Sequence, residues 1–159
     1  LIGSLMHRKE WHSHWIDRCY ANALMSTCAS GRRVGAVIVS KHNRSLSDGF
    51  NGVPSKFPHP TTCPRKDNNV PSGQCLDMCP CAHAESNAID TAARYGISIE
   101  GAYMYCTNKP CVFCMSRIIN SGIEKVYYIE DYPHELTSSM AKYANVELIQ
   151  LDGTNYENN

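Results

Sequence analysis

The chain has 159 residues, 43% of them hydrophobic, which is enough to bury one sizeable core but not two independent ones. Its 15 basic residues balance its 15 acidic residues, and this zero net charge offers no basic excess for the phosphate backbone of a nucleic acid. No apolar run approaches the roughly 20 residues that a membrane-spanning helix needs. We therefore expect a cytoplasmic protein that binds neither a membrane nor a polynucleotide.

We assign residues 6–152 to a single domain. Residues 1–5 come before Met6 and are interpreted as a cloning remnant or a truncated start, and residues 153–159 as a frayed tail. Neither end segment enters the prediction of the fold.

Hydrophobic periodicity alternates between helical and strand patterns along the chain. A first amphipathic helix precedes a hairpin of two strands, and the later strands alternate with helices. Such alternation predicts a mostly parallel sheet covered by helices, with an antiparallel element in the hairpin. In chain order the predicted elements are a helix over 12–28, strands over 34–39 and 44–50, a helix from 83 to a stop at Gly96, a strand over 102–107, a helix over 111–121, a strand over 125–129, a helix over 133–143 and a strand over 146–151.

Nine cysteines are the strongest compositional signal. They are consistent with disulfides, with metal ligands or with small buried residues. An odd count in a chain long enough to build a core argues against a disulfide scaffold. Their clustering favours a metal, because four of them fall between 63 and 81, in and just after an irregular stretch over 55–80. So long an irregular segment inside a compact domain is usually functional.

Two short motifs place metal-ligating side chains at predicted helix starts. His83 stands two residues before Glu85, and Cys111 stands three residues before Cys114, directly behind Pro110. One helical turn brings both sulfurs to the same side, and a helix N-terminus favours the thiolate form that binds metal. The two motifs therefore predict one shared metal site.

The predicted site has three protein ligands, one fewer than a closed structural zinc shell. The open position suits a water molecule, and Glu85 stands beside it as a proton carrier. A lone histidine is usually structural, and a lone pair of cysteines occurs in zinc ribbons and redox proteins. The two motifs together, in this order, are the signature of zinc-dependent nucleobase deaminases.

With these motifs the chain resembles the cytidine and deoxycytidylate deaminase superfamily, and within it the members that act on deoxycytidylate. The resemblance extends from about Trp15 to Leu148 and implies the three-layer α/β/α fold of that family, an α/β class with a mixed sheet of about five strands. The segments that carry it are 32–39, 49–54, 83–89, 101–105, 110–111, 121–126 and 131–133.

The resemblance also implies a reaction and the residues that perform it. His83, Cys111 and Cys114 would bind the catalytic zinc, and Glu85 would move the protons. The substrate would be dCMP and the products dUMP and ammonia.

Further residue roles follow from the same resemblance. Asn51 would contact the sugar of the nucleotide, and the backbone at Ala84 would meet the edge of the pyrimidine. Arg32 or Arg33 would bind the 5′-phosphate. Tyr132 would close over the nucleotide.

Regulation, assembly and a second metal are also implied. The family is often activated by dCTP and inhibited by dTTP at a second site, which would involve Asn51, Gly52 and Arg94, and its members are expected to form hexamers. Many members carry a second, structural zinc before the histidine motif. The ligands expected for it here are Cys28, His59, Cys63 and Cys79, with Cys75 and Cys81 as further candidates.

Two kinds of rival function remain at this stage. One is another deaminase of the same chemistry, acting on free cytidine, on adenosine in tRNA or on cytosine in single strands. The other is a cysteine-rich zinc module that binds nucleic acid and catalyses nothing. Zero net charge argues against the polynucleotide-binding forms, and Glu85 argues against a purely structural site.

Overall fold

A computed structural model describes residues 8–132 and 134–153. The predicted remnant 1–5, residues 6 and 7 of the predicted domain, Pro133, and all of the predicted tail except Gly153 lie outside the described residues.

Five strands form one mixed sheet with the order β2-β1-β3-β4-β5. They are β1 (Gly35–Val39), β2 (Ser45–Phe50), β3 (Tyr103–Asn108), β4 (Lys125–Glu130) and β5 (Glu147–Gln150). β1 pairs antiparallel with both β2 and β3, whereas the β3–β4 and β4–β5 pairs are parallel. The mixed sheet is confirmed, but the expectation of a mostly parallel sheet is wrong, because β1 also runs opposite to β3.

The helices are α1 (Trp11–Ala23), α2 (Pro64–Asp67), α3 (Ala84–Arg94), α4 (Val112–Asn120) and α5 (Glu135–Tyr143). α1 packs on one face of the sheet, where Trp15 and Ile16 meet Val37 and Val39. α3, α4 and α5 cover the opposite face. Every residue of β1 is buried, as expected for a central strand covered on both faces. The predicted three-layer α/β/α fold is confirmed.

Most predicted boundaries agree with the structure to within one or two residues, but the first helix does not. It ends at Ala23 and not at Cys28, and Leu24 and Met25, which follow it, are exposed. The irregular stretch 55–80 contains two short elements that periodicity did not predict, α2 and a 3-10 helix over Leu76–Met78. In the part of the chain that the structure describes, no helix is long and apolar enough to span a membrane. The cytoplasmic location stays a prediction.

Candidate active site

Two helix N-termini meet on the α3 face of the sheet. His83 is the N-cap residue of α3, and Cys111 is the N-cap residue of α4. Neither side chain makes a capping hydrogen bond to its own helix. Both are therefore free to face each other, and Cys114, in the first turn of α4, joins them.

The three side chains have the spacing of a metal site. The Nδ1 atom of His83 lies 3.4 Å from the sulfur of Cys111 and 3.4 Å from that of Cys114. Around a tetrahedral zinc, with bonds of about 2.3 Å to sulfur and about 2.0 Å to nitrogen, this separation would be about 3.5 Å. Within residues 8–132 and 134–153, no other group of three or more His, Cys, Asp or Glu side chains brings its ligand atoms within 4.8 Å of one another. The nitrogen and two sulfurs therefore fit zinc and leave one position open.

The electrostatics of the group favour a metal-binding thiolate. A hydrogen bond with the Cys114 thiol lowers the pKa of Cys111 to about 4, and the hydrogen bond with His83 adds to this effect. The same hydrogen bond between the two thiols, together with burial, raises the pKa of Cys114 well above its ordinary value. The pKa of His83 is also raised, first by its hydrogen bond with Cys111, while the nearby Arg32 guanidinium opposes that shift. The lowered pKa of Cys111 favours its thiolate, the form in which cysteine binds metal.

Glu85 lies beside these ligands without being one of them. It is 3% exposed and is the only buried carboxylate among the described residues. The Cys114 thiol donates a hydrogen bond to its Oε2 atom at 3.6 Å. Burial raises the pKa of Glu85, which suits a carboxyl group that both takes up and releases protons during a reaction.

Backbone contacts from the β2 region fix the start of α3. Gly52 and Ala82 form an isolated antiparallel bridge, with N–O distances of 3.1 and 2.8 Å, just before His83. The Asn87 side chain donates a hydrogen bond to the Phe50 carbonyl at 2.7 Å. These contacts hold the histidine and the carboxylate at one end of the sheet.

Asn51 holds the segment that carries the predicted phosphate-binding arginines. Its Oδ1 atom accepts a hydrogen bond from the Val34 amide, and its Nδ2 atom donates one to the Arg32 carbonyl, both at 2.8 Å. Asn51 is 7% exposed, and Ala84 is fully buried. Arg32 and Arg33 are both exposed, and Arg32 is the one whose charge acts on His83.

Tyr132 lies close to Arg32, whose guanidinium carbon is 5.3 Å from the centre of the tyrosine ring. A residue that sequence analysis missed orients this loop. The Lys109 ammonium pairs with the Asp131 carboxylate at 3.4 Å, and the same carboxylate accepts a hydrogen bond from the Tyr132 amide at 2.8 Å. Lys109 stands two residues before Cys111, and this position was the one feature of the sequence that pointed to a role for the lysine.

The ligands expected for a second zinc are only partly gathered. Cys28, His59, Cys63 and Cys79 do not form a common ligand group among the described residues. Cys28 and Cys79 do lie next to Cys81: burial, followed by the effect of these two thiols, raises the pKa of Cys81 to about 12. His59 is exposed, whereas Cys63 is buried at the start of α2.

The residues expected to sense effectors occupy different ends of α3. Asn51 and Gly52 lie near its start through the bridge to Ala82. Arg94 is exposed in its last turn, with its guanidinium 5.8 Å from the Tyr95 ring centre. An α-helix of this length separates its ends by about 15 Å, so one chain does not bring the three residues together.

Comparison with known proteins identifies the family. Residues 9–130 match the model of the cytidine and deoxycytidylate deaminase zinc-binding region. The deoxycytidylate deaminase of Schizosaccharomyces pombe is 35% identical over 153 residues, which make up 94% of this chain and 47% of the yeast protein. ComE operon protein 2 of Bacillus subtilis is 32% identical over 92% of this chain and 74% of its own length.

A solved structure supports the same conclusion. The dCMP deaminase of cyanophage S-TIM5, crystallised in complex with dCMP and dUMP, has a TM-score of 0.72 and 28% identity, and the match covers 91% of this chain and all of the phage chain. The chain therefore belongs to the cytidine and deoxycytidylate deaminase zinc-binding family. It spans about half the length of the fission-yeast protein.

Proposed function

We propose that this chain catalyses the hydrolytic deamination of dCMP to dUMP and ammonia, with zinc held by His83, Cys111 and Cys114. The observation that carries the proposal is the buried Glu85 carboxyl next to a three-ligand group with an open position. Two relatives, the fission-yeast protein and the cyanophage enzyme, are named as deaminases of this nucleotide.

The protons are carried by Glu85. Zinc bound at this site would lower the pKa of a water ligand from about 15.7 to about 7. Glu85 takes a proton from the attacking water and delivers it to N3 of the cytosine ring. It then carries the second proton of that water from the new C4 hydroxyl to the amine at C4, which leaves as ammonia while the C4 carbonyl forms. A buried carboxyl with a raised pKa suits both transfers.

The same site orients the nucleotide. The backbone of Ala84 faces the pyrimidine edge, and the N–H of Asn51 that is not bonded to Arg32 reaches the sugar. Arg32 is the better placed of the two arginines for the 5′-phosphate because its guanidinium carbon lies 5.3 Å from the centre of the Tyr132 ring. Tyr132, which stacks near that arginine, covers the nucleotide.

Ammonia release from dCMP, deoxycytidine and dCTP by zinc-loaded protein tests the proposal. The expected result is turnover of dCMP well above that of the other two. Turnover of deoxycytidine alone would transfer the assignment to a nucleoside deaminase. No turnover of any of the three would contradict it.

A second, structural zinc belongs to the proposal with a revised ligand set. Cys81 replaces the exposed His59, because it lies beside Cys28 and Cys79, and Cys63 is kept from the expected set as the fourth ligand. Metal counting on the Cys81→Ser variant tests this set, with exposed Cys75→Ser as the control. We expect one zinc per chain to be lost in the first variant and none in the second; equal counts would contradict the revised set.

Regulation and assembly complete the proposal. We expect dCTP to activate and dTTP to inhibit a hexamer, with Arg94 of one chain approaching the Asn51–Gly52 segment of another. A contact between subunits would bring together the Asn51–Gly52 segment and Arg94, which lie near opposite ends of α3 within one chain. Dose–response curves for both triphosphates, with the Arg94→Gln variant, test it; an unchanged response in the variant would exclude Arg94 from the effector site.

A further inference from the structure

Three separate chain segments meet through four side chains that we call the Arg32 cluster: Arg32, Ser72, Tyr132 and His134. The Arg32 Nη1 atom donates a hydrogen bond to the Ser72 hydroxyl at 2.6 Å. The Ser72 and Tyr132 hydroxyls hydrogen-bond at 3.2 Å, and the Tyr132 and His134 ring centres lie 4.7 Å apart. Ser72 and His134 were not among the site residues predicted from the sequence.

Two sets of contacts connect the Arg32 cluster with the segments that carry the candidate active site. The carbonyl oxygen of Arg32 accepts a hydrogen bond from the Asn51 side chain at 2.8 Å, and Asn51 precedes Gly52, which pairs with Ala82 just before His83. The β4–α5 segment of the cluster is joined to the metal-binding segment by the Lys109–Asp131 ion pair. A nucleotide whose base lies at the metal site would therefore extend its other end toward this cluster.

A second arginine, Arg65, contacts the loop that carries Ser72. The Arg65 Nη2 atom donates a hydrogen bond to the Pro71 carbonyl at 3.3 Å, one residue before the serine. The Arg65 Nε atom is buried and has no hydrogen-bond partner among the described residues. A β-carbon on Gly73 would lie 3.1 Å from the Nε2 atom of His134, so glycine permits this close approach of the loop.

We infer that Ser72 and His134, together with Arg32, bind the 5′-phosphate of the nucleotide and so determine the preference for a nucleotide over a nucleoside. A guanidinium, a hydroxyl and an imidazole supply donors to several oxygens of one anion, and hydrogen bonds to charged groups are the strong ones. The open approach of the solvent-exposed Arg32 and Ser72 side chains suits a ligand that enters from water. This inference rests on the proposed deaminase function.

The test measures kcat/KM for dCMP and for deoxycytidine in Ser72→Ala, His134→Gln and Arg32→Gln variants. Exposed residues of the same types at the β1–β2 turn and the start of β2 provide matched controls, Ser45→Ala, His42→Gln and Arg44→Gln. Loss of one charge-assisted hydrogen bond lowers the ratio of the two kcat/KM values by about tenfold or more. We expect that fall in each of the first three variants, through KM for dCMP more than through kcat, and an unchanged ratio in the controls.

Calorimetric binding of dUMP and deoxyuridine gives a readout independent of turnover. The Ser72→Ala and His134→Gln variants are expected to lose affinity for dUMP toward that for deoxyuridine. Wild-type protein that turns over dCMP, with variants that retain the wild-type ratio and dUMP affinity, would overturn this inference but leave the proposed function intact. Absence of deamination in the wild type would instead reject the proposed function.

Discussion

Gly49 of β2 lies directly beneath Ala84, the first residue of α3. A β-carbon on Gly49 would come within 2.5 Å of the Ala84 carbonyl oxygen and 2.6 Å of the Ala88 amide nitrogen. These are backbone atoms, which cannot turn aside as a side chain can. The absence of a side chain at Gly49 thus allows α3 to approach the sheet and sets the position of His83 and Glu85.

A Gly49→Ala substitution is therefore expected to displace α3 and reduce activity strongly. Gly96→Ala is the matched control, because a β-carbon there meets nothing within 4 Å although the residue has φ +66. The control should cost about 1–2 kcal/mol of unfolding free energy from left-handed strain and retain most of its activity. Urea denaturation and deamination rates measure both effects. A fully active Gly49→Ala variant would show that close packing at this glycine does not position the site.

Asn51 stabilises the fold as well as serving the proposed substrate site. Removing its side chain leaves the buried Val34 amide and the Arg32 carbonyl without their partner. The Asn51→Ala variant should lose about 2–3 kcal/mol of unfolding free energy, measured by urea denaturation. The exposed Asn68→Ala variant, which loses one surface hydrogen bond to Pro64, should lose much less. Equal losses would contradict the bridging role of Asn51.

Lys109 is expected to position the Tyr132 loop through its ion pair with Asp131. The lysine side chain is 9% exposed and the aspartate side chain 60%, so the pair is only partly screened by water. Lys109→Met should raise KM for dCMP several-fold, and the double variant with Asp131→Asn should be little worse than the more impaired single variant. Lys41→Met, which breaks the half-exposed ion pair with Glu124, serves as the control. Independent, additive effects of the two substitutions would exclude the positioning role.

Zinc removal is expected to lower thermal stability. A ligand present at a hundred times its Kd adds about 2.7 kcal/mol, which corresponds to a Tm shift of roughly 5–10 °C for a chain of this size. Differential scanning calorimetry with and without a chelator measures the shift. The His83→Ala variant should show a smaller response, whereas His42→Ala, in an exposed turn, should respond like the wild type. An equal response in both variants would place the stabilising zinc elsewhere.

The sequence predicted those parts of the molecule that leave a periodic or motif signal. The strands, the later helices and the grouping of His83 with the two cysteines follow from alternation and short spacing. The end of α1 was predicted too late because Leu24 continues the apolar spacing past Ala23, although its side chain is exposed. The second antiparallel pair was missed because strand direction across a long connection has no local signal.

The contacts within the Arg32 cluster were also hard to predict, because they join residues that are far apart in the sequence. Ser72 and Arg32 are 40 residues apart, and Ser72 and Tyr132 are 60 apart. No periodic pattern joins such residues, and a serine in an irregular loop is ordinarily solvated. The proximity of Cys81 to Cys28 also depends on how the loop folds back, which spacing alone does not determine.

The most direct test of the central claim is ammonia release from dCMP by the wild-type chain and its Glu85→Gln variant, after metal analysis has shown equal zinc content. Glu124→Gln, which alters an exposed carboxylate, is the control. Because Glu85 lies outside the ligand group, we expect the variant to retain zinc and its kcat to fall by about 10²–10⁴-fold. A zinc-loaded Glu85→Gln variant that deaminates dCMP at the wild-type rate would contradict the account.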